Sequence, residues 1–148
     1  MKTLIVTALA TAAAVAACSS GGSNAPSTPA DIAGTWNIAG TFSNSAVQTS
    51  CNFAGTTTIN QAGSQATGTY SVSTTCTGPG GTVTQPSSGN LGGGKITGNT
   101  VSFNDDGGCK YTGTISGNPT NAMNGTESCI IGIQGTNYTF AGTWNANR

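Results

Sequence analysis

The chain has no histidine, and it carries only four basic and four acidic residues in 148. The missing histidine excludes Ser-His-Asp and Cys-His nucleophilic arrangements within the chain. So few lysines and arginines leave no basic patch, which excludes nucleic acid as a partner. They also leave no polybasic segment for anionic lipid head groups. Lys95 and Lys110 sit in no recognised serine–lysine motif. Asp105 and Asp106 are adjacent, so on a strand they would point to opposite faces, away from a shared hydrolytic cleft. Two glycines follow them, which suggests a turn, and a calcium ion there would need six to eight oxygens. No enzyme activity, metal or cofactor is expected from this inventory.

What is present begins with an N-terminal segment. Met1-Lys2 is followed by Leu4 to Ala17, apolar apart from two threonines. That run is shorter than the roughly 20 apolar residues of a membrane span. It ends in Val15-Ala16-Ala17-Cys18. The stretch resembles the lipobox of bacterial lipoproteins, in which the peptide is cut before the cysteine and the cysteine carries the lipid. The resemblance implies a signal peptide over residues 1–17 and lipidation at Cys18. It also implies a membrane partner through that lipid, at the cell envelope. Ser19 stands where an aspartate would hold such a protein at the inner membrane, so the expected address is the outer membrane. Residues 18–30 read as a flexible Ser/Gly/Pro tether. Residues 31–148 are long enough for one domain and one core.

That domain shows no helical period. Its local period is two: Trp36, Ile38, Gly40 and Phe42 share one face, as do Tyr138, Phe140, Gly142 and Trp144. Thr and Asn fill the other face, the pattern of half-buried strands. Eight strands are predicted near 33–43, 54–61, 65–75, 89–97, 100–104, 109–116, 121–130 and 136–146, with all five prolines outside them. The expected fold is all-β, an eight-stranded antiparallel up-and-down β-barrel, with a β-sandwich as the alternative. In a barrel the first and last strands pair. The repeated phrase Gly-Thr-Trp-Asn, at 34–37 and 142–145, would then mark the seam, with both tryptophans in the core.

Four further cysteines, Cys51, Cys76, Cys109 and Cys129, suit two disulfides in an exported domain. Without histidine or a tight C-x-x-C, a metal or catalytic thiol is disfavoured. The hairpin register selects the pairing. With Gly63-Ser64 as one turn centre, Cys51 faces Cys76; with Pro119 as the other, Cys109 faces Cys129. Both bridges are predicted, each at the open end of a long hairpin.

Two features bear on function. Glu127 shares inward parity with Met123 and Cys129 and falls opposite Tyr111. It is either a polar anchor for a ligand or, the favoured reading, a rim residue bonded to the Tyr111 hydroxyl or to water. Gly40, Gly68, Gly113, Gly125 and Gly142 also fall on inward parity. They would either bend the strands, the favoured role, or leave room for a ligand among Trp36, Tyr70, Tyr111, Tyr138 and Trp144.

The stretch Gly34 to Val72, with "GTWN" and then "TTTINQAGSQATGTYS", resembles the opening of avidin-like and lipocalin-like barrels. The resemblance implies the barrel fold. Biotin binding is not implied, because the further tryptophans of the avidin cage are missing and Val72 stands where a ligand-binding serine belongs. Other small lipoprotein barrels inhibit envelope hydrolases; this chain shares their size and disulfides but shows no inhibitor motif. The expected function is a non-enzymatic, lipid-anchored barrel that binds a small apolar or neutral ligand. The alternative is a solid barrel whose Thr/Asn-rich exterior meets an envelope protein or a glycan.

Overall fold

A computed structural model describes residues 28–148. The expected signal peptide over residues 1–17, the expected lipidation site Cys18 and most of the expected tether lie outside the described residues. Eight strands follow one another: β1 (Gly34–Asn44), β2 (Thr49–Ala62), β3 (Gln65–Gly78), β4 (Gly81–Thr97), β5 (Thr100–Asp105), β6 (Cys109–Ser116), β7 (Ala122–Ile133) and β8 (Thr136–Asn147). Each pairs antiparallel with the next, and β1 pairs with β8 to close an up-and-down barrel. No helix occurs among the described residues. The barrel replaces the sandwich alternative because the β1–β8 ladder leaves no open sheet.

Alternation builds the core. Trp36 and Phe42 from β1, Phe53 and Ile59 from β2, and Phe140 and Trp144 from β8 are buried, while the intervening Thr, Asn and Ser residues are exposed, except the inward Thr57. Both tryptophans are interior and their strands form the seam, but they do not face each other. Trp144 pairs with Gly40, two inward positions along β1 from Trp36. The inward glycines sit where neighbouring strands approach most closely. A Cβ on Gly142 would strike the Thr41 carbonyl, and one on Gly125 the Thr112 carbonyl. None of the five inward glycines borders the cavity described below, so tight strand approach accounts for them.

Both predicted disulfides are present, Cys51–Cys76 and Cys109–Cys129. Each joins residues that face one another across a hairpin ladder. Facing positions on one side of a ladder have nearly touching Cβ atoms, so register alone dictates these bonds.

The strands differ from the sequence expectation mainly in length. β2 starts five residues earlier than expected, at Thr49 rather than 54, and β4 starts at Gly81 rather than 89. The early part of β4 is exposed on both faces, with Val83 its only large apolar side chain, so alternation could not reveal it. Pro86 therefore lies inside β4, contrary to the expectation that every proline falls outside a strand. The physical rule survives in another form. β5 covers only Leu91–Thr97 of β4, so Pro86 sits on a free edge where no ladder partner needs its missing N–H. Ala30, assigned to the tether, packs against the core instead, beside the fully buried Ile32.

Candidate functional site

Strand direction gives the barrel two unlike ends. The lower end carries the β2–β3, β4–β5 and β6–β7 turns, with the chain's entry and exit. Ile32 plugs it, and the Trp36 indole N–H donates to the Ile32 carbonyl at 2.8 Å. Gln61 holds the plug by accepting from Ile32 N–H at 2.8 Å and donating to the Ala30 carbonyl at 3.0 Å. Arg148 lies 4.5 Å above the Trp36 ring and donates to the carbonyls of Asp31, Ala33 and Thr120.

The upper end is open. A cavity of about 190 Å³ enters the barrel there. Its walls are mainly apolar, with Phe42, Phe53, Leu91, Phe103, Ile131 and Trp144, and its floor reaches Met123 and Ala146. Polar groups gather toward the mouth: Tyr70, Thr74, Ser87, Asp105 and Tyr111. An apolar interior with a few convergent polar groups is the usual build of a small-molecule site.

The short β5 lowers the wall on one side, and the β5–β6 turn forms a lip in the gap. Asp106 fixes the lip to β4. One carboxylate oxygen accepts from Asn90 N–H at 2.9 Å and from the Asn90 side chain at 3.1 Å; the other accepts from the Tyr70 hydroxyl at 3.2 Å. These donors, Asn90 N–H foremost, hold the Asp106 carboxyl below its usual range. A Cβ at Gly89 would push the Asp106 carboxylate out of its place beside Asn90. Asp105 accepts from Cys109 N–H at 2.7 Å and from the Tyr111 hydroxyl at 3.2 Å. Burial raises the Tyr111 phenol far above its usual range, and Asp105 and Glu127 add to the effect. Burial also raises Tyr70. The two tyrosines thus stay neutral donors, each spent on one aspartate.

Glu127 is 3 % exposed, which corrects its placement as a rim residue. It does face Tyr111 across the ladder, but the Tyr111 hydroxyl turns to Asp105. Neither Glu127 oxygen has a protein hydrogen-bond partner among the described residues. Burial, with the charge of Asp105 in support, raises the carboxyl to about 8. At neutral pH it is mostly the uncharged acid, the form a dry site favours.

Of the six residues expected to meet a ligand, Tyr70, Tyr111 and Trp144 line the cavity. Trp36 does not, because it is committed to the lower plug. Tyr138 borders a separate shallow depression at the upper rim, with Val47, Pro79 and Ile133. Glu127 lies behind the lining. Sequence reasoning missed Asp105, since an Asp-Asp-Gly-Gly turn gives no sign that its first acid faces inward. Strict alternation from Val101 and Phe103 through 105 carried that signal. No group of three or more metal-ligating side chains occurs among the described residues. The chain matches no protein-family model and no curated protein.

Proposed function

We propose that this protein is a non-enzymatic binding barrel for a small ligand with an apolar or neutral body, tethered by a lipid at Cys18 to the cell envelope, with the outer membrane as its address. The observation that carries the reading is the apolar cavity of about 190 Å³ beneath a polar mouth. An engineered apolar cavity of about 150 Å³ accepts benzene, so the space suits one ring or a short alkyl chain. The avidin-like and lipocalin-like grammar of Gly34 to Val72 agrees with a barrel that holds its ligand inside.

The test is calorimetric titration of the domain with neutral probes such as 1-hexanol, followed in parallel by Trp144 fluorescence. The reading expects saturable one-to-one binding that Val72→Trp, which fills the cavity, removes. Absence of saturable binding would overturn it. Attention would then pass to the exterior, where Thr41, Thr143, Thr126 and Thr112 form one uncharged row across four strands. Such a hydroxyl row is suited to a glycan or a protein surface, the second reading.

A further inference from the structure

The cavity's polar groups share one electrostatic character. Asp105 lines the mouth, Asp106 supports its lip, and among the described residues no lysine or arginine borders the cavity. Lys110 is exposed on the outward parity of β6, and Arg148 is bound at the opposite end. A low-dielectric cleft of one sign concentrates the field and selects ligands of the other sign. Asp105 has only two protein donors, whereas a carboxylate offers about four acceptor positions. Below the Cys109–Cys129 bridge, the buried Glu127 carboxyl lies behind the cavity lining with no hydrogen-bond partner among the described residues. Tyr70, Tyr111 and Trp144 add aromatic surface, which also favours a cation.

We infer that the ligand is an amphiphilic amine, with an apolar body in the barrel and a protonated amino head at the mouth against Asp105. The inference rests on the binding function proposed above and narrows its ligand class. The head group would donate to the open acceptor positions of Asp105 while the alkyl or aryl body displaces water from the phenylalanine-lined wall. A carboxylate head in the same place would meet Asp105 as a like charge, so fatty acids are excluded as cargo.

The experiment titrates the folded protein at pH 7 with 1-hexylamine, 1-hexanol and hexanoate, which share a body and differ in the head. The amine should bind at least about tenfold more tightly than the alcohol, the scale of one charge-assisted hydrogen bond, and hexanoate should bind weakest. Asp105→Asn should erase the amine preference, bringing 1-hexylamine down to the affinity of 1-hexanol for the same variant. If the alcohol binds and the amine gains nothing, or hexanoate is preferred, the amine inference falls and the binding barrel stands. If none of the three binds, the binding function falls and the inference falls with it. Should Asp105→Asn fail to fold, the ranking on the wild type still decides the head group.

Discussion

At the lower end of the barrel, an indole, a guanidinium and a glutamine amide spend their polar atoms on backbone carbonyls and on the entering chain. At the upper end, two phenols and two carboxylates bond mainly to one another and to the lip, and the buried Glu127 carboxyl has no hydrogen-bond partner among the described residues. The lower end therefore gains packing and satisfied hydrogen bonds, while the upper end gives up packing for space and retains unused acceptors. The same eight strands support both, because strand length differs around the barrel. The short β5 lowers one wall at the top, whereas at the bottom Ile32 folds beneath the barrel. Stability and binding should accordingly separate along the barrel axis.

Substitutions can break that separation if it is wrong. The largest effect belongs to the lower end: Trp36→Ala should destabilise by roughly 3–5 kcal/mol, as large core truncations do. Denaturant melts would measure it, and the fraction that stays folded should bind its ligand normally. A parallel loss of affinity would mean the two ends are coupled.

Next comes the upper hairpin clamp. Replacing Cys109 and Cys129 together by serine should cost about 3 kcal/mol for a loop of this length. This change should also weaken binding, because the bridge lies beside Asp105's contact with Cys109 N–H. Unchanged affinity in the folded variant would show that the lip is held without the bridge.

Glu127 sharpens the comparison through pH. In the unfolded chain its carboxyl loses a proton near 4.5, and in the folded barrel near 8. Between those values the folded state holds the extra proton, so stability falls as pH rises through the window and levels off above it. Glu127→Gln should remove that slope, up to roughly 1.4 kcal/mol per pH unit. Melting temperatures of both proteins at pH 5, 7 and 9 would measure it. Curves that stay parallel would mean that Glu127 ionises in the folded state as freely as in water. The smallest stability effect is expected from Tyr70→Phe, about 1 kcal/mol for one hydrogen bond to a carboxylate. Its main readout should be affinity, through a loosened lip.

Much of this architecture could be read from residue types. Alternation of Trp36, Ile38, Gly40 and Phe42 against Thr and Asn specifies a one-sided strand whatever its neighbours are. Turn centres at Gly63-Ser64 and near Pro119 set two registers, and those registers bring each cysteine to its partner. The early half of β4 was not legible in the sequence because both of its faces are exposed, with Val83 its only large apolar side chain, and it contains a proline, which only its place at a free edge explains.

Local order was thus determined by the sequence itself: the strands, their inward faces and the disulfide pairing follow from side-chain period and turn chemistry acting over short distances, whereas the β1–β8 seam joins residues about a hundred apart and is fixed only by closure of the barrel. Only the tertiary structure decided which inward residues fill the barrel and which surround a cavity. Trp36 and Trp144 occupy the same phrase and the same parity, yet one is packed beneath Arg148 and the other borders open space. The difference comes from height along the barrel axis, set by strand stagger and by Ile32 folding under one end. Period-two patterning records the face of a residue and carries no information about its depth.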